Sequence, residues 1–383
     1  MKIKFIPEDF VVEERVNLPI QGRGEFSLYL VHKQNLTTDN AMKQLSRWMK
    51  RPLRDLSHAG MKDRHGLTTQ YITVHGDGPQ HIETEHFRAR RIGYADEPVS
   101  SHHLSGNHFR IVLRDLSEED IERIERNRPS LERYGIPNYY DDQRFRSQPS
   151  AKNAFAFHLM RSDYENGFRV YLMECLNNSN GTVEALIQNW GAWTDVKIDN
   201  SDLPNFRKAL SYLRHNPNDY QGAIYKLDRV DLRMMIAAGY SYLWNELLAR
   251  RIRQMVTTDS VSVKGAWQDY AFFRALDRDS QQYFNDLSFA IPPNSGFDQD
   301  PDFDTLVHSL FKEYRLNREN IDSPLVSRLF PGSIERQALM KPENLSIQNP
   351  SDDDLHPGRF KLELSFTLKP GSYATMVIKR LTL

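Results

Sequence analysis

An isolated acid among cations, on a turn bounded by glycines, is the feature of this chain best suited to covalent or acid–base chemistry. Asp63 lies in the stretch His58 to Val74, which reads His-Ala-Gly-Met-Lys-Asp-Arg-His-Gly-Leu-Thr-Thr-Gln-Tyr-Ile-Thr-Val. Gly60 and Gly66 bracket it, Lys62 and Arg64 flank it, and His58 and His65 are close in sequence. Neighbouring cations favour the charged form of a carboxylate, so the spacing predicts an ionised Asp63 able to act as a nucleophile or a base. Turn residues at the entrance to a strand place such a group on a loop held by a rigid element, the usual setting of a reacting side chain. The same residues also describe a surface turn acid paired with its neighbours, since ion-pair networks perturb acids as active sites do.

The elements that must position Asp63 follow from periodicity. Thr68 to Val74 is rich in β-branched and aromatic residues and reads as a strand. Pro7-Glu8-Asp9-Phe10-Val11-Val12-Glu13-Glu14 is short and apolar enough for another, and after the Gly22-Arg23-Gly24 turn Phe26, Leu28 and Leu30 alternate with Ser27, Tyr29 and Val31. Gly22 and Gly24 do not make a dinucleotide fingerprint, because no third glycine or following helix completes one. Thr38 is placed to cap a helix whose Ala41, Leu45 and Trp48 share a face, with Pro52 just beyond its end. Phe109, Ile111 and Leu113 alternate with Arg110, Val112 and Arg114, and Ser117 with Asp120 opens a helix as a capping-box variant.

From about Lys152 to Ser333 the pattern turns helical. Phe206, Leu210 and Leu213 share one face, and Ile236, Tyr240, Leu243 and Leu247 another, so a second domain is expected. Pro292 to Gly296 and the acids after it read as an exposed loop. The end returns to strand periodicity, with Leu362, Leu364, Phe366 and Leu368 alternating with polar residues before Lys369-Pro370-Gly371 and a closing segment to Arg380.

Composition bounds what this framework can be. The 383 residues are enough for two domains, and 39% hydrophobic with 26% charged residues fits a soluble globular protein. No run is long and apolar enough for a membrane span, and the opening Met1-Lys2-Ile3-Lys4-Phe5-Ile6-Pro7-Glu8 lacks a signal-peptide core, which predicts a cytoplasmic protein. Cys175 is the only cysteine, so an intramolecular disulfide and any cysteine-clustered metal site are excluded, and it reads as a small buried residue. His102 and His103 are adjacent on an extended segment and point apart, which makes them loop residues rather than metal ligands. The net charge of −1 is silent about nucleic acid, yet residues 41 to 70 hold seven Lys or Arg against two acids, and Arg88, Arg90 and Arg91 lie further along. A basic face around Asp63 would suit phosphates; an ordinary solvated face would look the same.

Five stretches, taken in order, resemble the TruD-type pseudouridine synthases, which act on tRNA and, in eukaryotic relatives, other RNAs. Pro7-Glu8-Asp9-Phe10 is similar to the opening motif of the family and Gly60 to Tyr71 to its catalytic segment. Asn138-Tyr139-Tyr140-Asp141-Asp142-Gln143-Arg144-Phe145-Arg146 resembles its Asn-Tyr-Phe-Gly-x-Gln-Arg-Phe-Gly pattern, with Tyr140 in the phenylalanine place and Asp141 and Arg146 in place of glycines. Ser241 to Asn245 resembles its Ser-x-x-Phe-Asn, with Trp244 for phenylalanine, and Gly371-Ser372-Tyr373-Ala374-Thr375 its closing motif.

The resemblance implies an α+β fold: a discontinuous catalytic domain of residues 1–151 and 334–383, interrupted by a mostly helical TRUD domain at 152–333. It makes Asp63 the catalytic acid, places Lys4 against it and Phe10 near the substrate nucleotide, and gives Asn138 the task of holding its loop and positioning the acid. Tyr140 would lie beside the target base and Tyr373 at the aromatic site facing the substrate. Read alone, Phe10 would be a core aromatic and Lys4 a surface lysine. Arg250, Arg251 and Arg253 are candidates to reach RNA.

The implied reaction breaks the N1–C1′ bond of a uridine and rejoins the base through C5. It involves no redox change and no external group, hence no cofactor. A uridine in folded RNA must be extruded and stacked on an aromatic ring, for which Tyr140, Phe10 and Tyr373 are candidates. The expected partner is RNA, foremost tRNA at the uridine in position thirteen; nothing in the sequence points to a membrane or an obligatory protein partner. The alternative is a TruD-like module that binds or folds RNA with its 138–146 loop altered. A metal-dependent hydrolase is disfavoured, because no His/Asp/Glu cluster has ligand spacing.

Overall fold

The protein has a mixed α+β fold. Its computed structural model describes residues 1–145, 154–175, 182–194, 206–291, 300–321, 323–330 and 335–383. Arg146, the expected domain joints at 151/152 and 333/334, the Pro292–Gly296 loop, Asp298 and the side chain of Cys175 lie outside the described residues. The chain forms two compact units, residues 1–136 with 340–383, and residues 137–339. Among the described residues no helix is long and apolar enough to cross a membrane.

The first unit is built on one ten-stranded sheet. Its strands in chain order begin with β1 (Phe10–Val16), β2 (Phe26–Gln34), β3 (Leu56–His58), β4 (Leu67–His75), β5 (His81–Glu83), β6 (Phe87–Ala95) and β7 (Leu104–Leu116). Three more, Glu343–Ile347, Ser351–Asp352 and Phe360–Leu368, return from the C-terminal part. The main path across the sheet runs Glu343–Ile347, Phe360–Leu368, β7, β1, β4, β2, β6, β5. Only β1 and β4 pair in parallel, Val11 opposite Leu67 through Glu13 opposite Thr69. The same side of β4 is taken further along by β3, with Leu56 opposite Val74 and His58 opposite Ile72. The segment from Ala59 to Gly66 must therefore double back from the middle of β4 to its start.

Alternation decides which face is buried. On β2 the inward residues are Tyr29, Val31 and Lys33; on β1 they are Phe10, Val12 and Glu14. Helix α1 (Thr38–Met49) covers Tyr29, Val31, Ile72 and Val74 with Ala41, Met42 and Leu45. Its cap is Thr37, whose hydroxyl accepts from the Asn40 amide, and not Thr38 as the sequence suggested. Trp48, expected on the packed face, is 51% exposed. The packed stripe runs from Ala41 and Leu45 to Met49 instead, four residues apart at each step, with Met42 beside it.

Helix α2 (Glu118–Tyr134) begins with the expected capping box at Ser117 and Asp120. It is tied to the end of the chain by Asn127, whose amide donates to the carbonyls of Leu381 and Leu383 at 3.0 and 2.8 Å. The last strand alternates as expected, with Leu362, Leu364, Phe366 and Leu368 buried. Beyond it the chain forms a helix, Ala374–Leu381, rather than a further strand. Val377, Ile378 and Leu381 are all buried along it, a spacing that a two-residue period would have split between faces. The N-terminal strand also starts later than expected, because Pro7–Asp9 is a 3-10 turn in which the Asp9 carboxylate accepts from the Ile6 amide.

A buried ionic knot fixes that turn to the sheet. The Arg114 guanidinium, on β7, donates to Asp9 at 2.8 and 2.9 Å and to Asp353 and Asp354 at 2.9 Å each. Arg114, Asp9 and Asp353 are all buried. Burial pulls the Asp353 carboxyl upward, but the Asp115 and Leu355 amides, Arg114 and His356 outweigh it and hold it well below its ordinary 3.8.

The second unit packs helices around one long member, Arg229–Met255, whose Ile236, Tyr240, Leu243 and Leu247 are buried as their spacing predicted. A helix apolar nearly all round belongs in a core. A hairpin, Ser260–Lys264 with Asp269–Phe273, and the short pair Ser288–Phe289 with Arg336–Gln337 complete its described sheet structure.

Arg114→Met would strand two buried carboxylates, and removing one partner of a buried ion pair costs roughly 3–5 kcal/mol. Denaturant unfolding at neutral pH is expected to register a loss of that order. Because the folded pKa of Asp353 is depressed, its contribution is present above 3.8 and fades as pH falls below it. The gap between variant and wild type should narrow in acid; a gap that is negligible at neutral pH would refute the knot's importance.

Candidate active site

The Asp63 loop is held from several sides, by the N-terminal lead-in, by the inward face of the sheet and by the start of α1. Lys4 donates from Nζ to Asp63 Oδ2 at 2.8 Å, with the two side chains 22% and 35% exposed. Its backbone is left-handed, φ 56°, which turns it out of the Met1–Ile6 lead-in. The same ammonium stands 4.0 Å from the centre of the Phe10 ring, so an aromatic face and a carboxylate share one cation. Phe10 is buried, edge-on to Phe109 at 6.1 Å, which in turn packs against Phe366 at 5.7 Å.

The cations next to Asp63 in sequence are not its partners. Lys62 is buried and turned away into an ion pair with Glu14, whose other oxygen accepts from the Tyr71 amide at 2.8 Å. Arg64 is exposed. Alternation between neighbours sends Lys62 inward and leaves the pairing to a residue 59 positions away in the chain. Thr38, freed from capping, accepts from the Lys62 amide at 2.9 Å and donates to Gln70 at 3.0 Å. Lys33 is buried and donates to the main-chain carbonyl of Asp63 at 2.9 Å and to that of Leu36 at 2.6 Å. Burial pushes its ammonium down to about 8, against the pull of the Asp63 charge and with the help of Lys62. At the far end of the loop Gly66 has φ 126°, and a Cβ there would collide with the Phe10 carbonyl. Only glycine lets β4 start beside β1 at this point.

Lys33 and Glu14 were not singled out from the sequence, and Thr38 was read only as a helix cap. A signal was there, since Tyr29-x-Val31-x-Lys33 and Phe10-x-Val12-x-Glu14 each end a buried alternation on a charge.

Tyr373 belongs to the same unit and is half-buried at the N-terminal end of the Ala374–Leu381 helix, its carbonyl accepting from the Met376 amide at 3.1 Å. Asn138 and Tyr140 belong to the second unit and form a cluster there. Asn138 is buried; Arg336 donates to its carbonyl at 2.6 Å and to its Oδ1 at 2.7 Å, while its Nδ2 donates to the Gln337 carbonyl at 3.1 Å. It holds its loop, with the side-chain amide engaged at both ends.

The Tyr140 backbone is clasped by Asn245, which accepts from its amide and donates to its carbonyl, both at 2.8 Å. The Tyr140 ring lies edge-on to Trp244 at 5.8 Å with the Arg336 guanidinium 4.3 Å from its centre. A small cleft opens beside it, lined by Tyr140, Arg144, Tyr240, Ser241, Trp244 and Phe330 among others. Asp141 is buried at the entrance to a 3-10 turn.

Six of the seven basic residues between 41 and 70 are exposed or half-buried at the surface, all but Lys62. Of the three arginines named as candidates to reach RNA, Arg251 is buried, Arg250 is half-buried and Arg253 is exposed. Arg251 is buried against Asp300 and Tyr283 at 2.8 and 2.9 Å, Arg250 pairs with Glu246 and Glu313 at 3.0 and 2.7 Å, and Arg253 donates to the Asp269 carbonyl at 2.8 Å. Internal acceptors engage all three. Among the described residues no group of three or more His, Cys, Asp or Glu could hold a metal ion. His103 instead bonds Ser100 and Glu97, both within its own loop.

Gly66→Ala should destabilise the protein by roughly 1–3 kcal/mol, the range for a side chain forced into a disallowed backbone region. It should also raise amide exchange across residues 59–66. Wild-type melting together with wild-type exchange would show that the loop does not depend on this close approach.

The family model described as tRNA pseudouridine synthase D (TruD) matches residues 1–381. The chain is 30% identical over 394 residues to the probable tRNA pseudouridine synthase D 2 of Methanocaldococcus jannaschii, covering 99% of this chain and 91% of that protein. It is 27% identical over 401 residues to the tRNA pseudouridine synthase D of Leptospira interrogans, covering 100% of this chain and 96% of the relative. A solved TruD structure from Methanosarcina mazei shares the fold, with a TM-score of 0.70 at 22% identity over 99% of this chain and 93% of that one. The chain belongs to the tRNA pseudouridine synthase D (TruD) family.

Proposed function

We propose that the protein isomerises uridine to pseudouridine in tRNA, at the uridine in position thirteen, with Asp63 as the catalytic carboxylate. The observation that supports this most directly is the 2.8 Å pair between Lys4 and Asp63 beside the Phe10 ring, inside a chain whose family is named for this activity. The Lys4 ammonium engages one oxygen of the carboxylate, and the second oxygen is left to react.

Two routes use that oxygen. In one, it adds to C1′ as the bond from C1′ to N1 breaks, and the uracil anion leaves, turns, and displaces the carboxylate through C5. In the other, it takes the proton from C2′ as the N1 bond breaks, giving a glycal, and returns that proton as C5 bonds to C1′. Both end with loss of the C5 proton and its return to N1 by solvent or the same acid. Neither changes an oxidation state or needs a cofactor. Tyr140 and Tyr373, with Phe10 beneath Lys4, are the rings on which the extruded base would stack, and Asn138 holds the loop that presents Tyr140. The surface residues Lys43, Arg47, Lys50, Arg51, Arg54 and Arg64 would meet RNA phosphates. In this reading the first unit is the catalytic domain, the second is the TRUD insert, and the protein works in the cytoplasm.

Asp63→Asn is expected to abolish pseudouridine while tRNA binding survives, and Lys4→Met to slow single-turnover formation on the order of 100-fold. Mapping pseudouridine in total tRNA after incubation with the wild type and both variants, together with a tRNA Kd and a single-turnover time course for each, reads all three outcomes. Product from Asp63→Asn would refute the assignment of the acid. Binding without product in the wild type would return the protein to an RNA-binding module, and product at another position would overturn the site alone.

A further inference from the structure

We propose that Lys33 is a positioning residue for the reaction, holding the catalytic carboxylate in place through the main-chain carbonyl of Asp63. The inference rests on the proposed function and adds to it a residue that would touch neither the substrate nor the reacting oxygen.

The geometry assigns this task to Lys33 by what surrounds it. Tyr29, Val31 and Lys33 occupy successive inward positions of β2, and an apolar residue at 33 would continue the buried alternation. A lysine there must instead desolvate its ammonium, which is tolerated only when its donors are used. Two of its three N–H bonds run to carbonyls: Leu36, in the approach to α1, and Asp63, in the loop before β4. Lys33 thus bridges two segments that the sheet does not pair.

Asp63 is gripped at both ends, its carboxylate by Lys4 and its carbonyl by Lys33. The preceding amide, that of Lys62, is fixed separately by Thr38. Of these contacts, the one from Lys33 lies on Asp63 itself, comes from a buried side chain, and leaves the carboxylate untouched. The charged groups acting on Lys33 are Asp63, which favours its ammonium, and Lys62, which opposes it; Lys62 is itself neutralised by Glu14. Losing a charge-assisted bond to the backbone would let Asp63 drift, and a misplacement of about 1 Å can cost on the order of 100-fold in rate.

The test compares wild type, Lys33→Met and Lys33→Gln in the full chain, measuring melting temperature, tRNA Kd, and the single-turnover rate of pseudouridine formation at saturating tRNA. Lys33→Met is expected to fold, to bind tRNA within about twofold of wild type, and to lose on the order of 10- to 100-fold in rate. Lys33→Gln keeps an N–H donor on a shorter stem and should fall between. A folded Lys33→Met with a rate within about threefold of wild type overturns the proposal. So does a rate loss matched by an equal loss of affinity, which would make Lys33 part of RNA binding. If Lys33→Met does not fold, the same thresholds apply to Lys33→Gln, and failure of both to fold assigns Lys33 to stability alone and overturns the positioning role. A wild type that makes no pseudouridine sinks the functional reading instead, and this inference with it.

Discussion

A half-exposed ion pair cannot hold a loop by itself. Exposed pairs contribute about 0–1 kcal/mol, and the one between Lys4 and Asp63 is open to solvent on both sides. Yet an acid that is to react, the role proposed for Asp63, must remain open to its substrate and still be fixed. The structure meets these conflicting demands by separating them. The carboxylate stays accessible with one ammonium on it, while the backbone that carries it is held from beneath by buried contacts. Thr38 takes the Lys62 amide, Lys33 takes the Asp63 carbonyl, and Glu14 takes the Lys62 side chain. Gly66 then admits β4 so close to Phe10 that no side chain fits between them.

This arrangement places unusual charge inside a sheet. Lys33, Glu14, Lys62, Arg114, Asp9 and Asp353 are all buried. Each has a partner of opposite charge or a backbone acceptor, as buried charges must. They stand where the chain has to be tied across segments that strand pairing does not join: the loop before β4, the turn before β1, and the Asp353 turn that leads into the last strand. A hydrophobic replacement could fill such a position, but it would not specify which carbonyl or carboxylate it meets. Direction is what the polar contact adds, and the position of a reacting oxygen is a matter of direction.

The second unit solves a similar problem by other means. There the Asn138–Tyr140 segment is clamped by Arg336, Gln337 and Asn245, each bonding backbone or amide groups, so that the Tyr140 ring is presented on an immobilised loop. The substitution of tyrosine and aspartate within that motif is accommodated locally, with Trp244 against the ring and Asp141 buried. Trp244 itself stacks on Phe289 at 4.7 Å, which makes it core, in keeping with its place in the middle of a buried helix.

Much of this was legible in the residues taken in order. Two-residue alternation located the strands around Phe26, Phe109 and Leu362, the capping box at Ser117 and Asp120 opened α2, and the helical faces of the second unit were visible as repeats, because each of these signals is local and set by backbone geometry. The glycine-bounded acid at Asp63 stood out for the same reason. What the linear order could not convey was partnership. Residue order offered Lys62 and Arg64 as the neighbours of Asp63, whereas the fold turns Lys62 inward to Glu14 and pairs Asp63 with Lys4, 59 positions away, a partner that only the family resemblance had pointed to. It offered Thr38 as a cap and Arg251 as a contact for RNA, whereas packing gave the one to the Lys62 amide and the other to Asp300. It also read the last segment as strand, where burial of Val377, Ile378 and Leu381 along one face made a helix. Side-chain types and local periods are properties of the sequence; which charge meets which is decided by strand register and by the direction in which each loop returns, and those exist only in the folded chain.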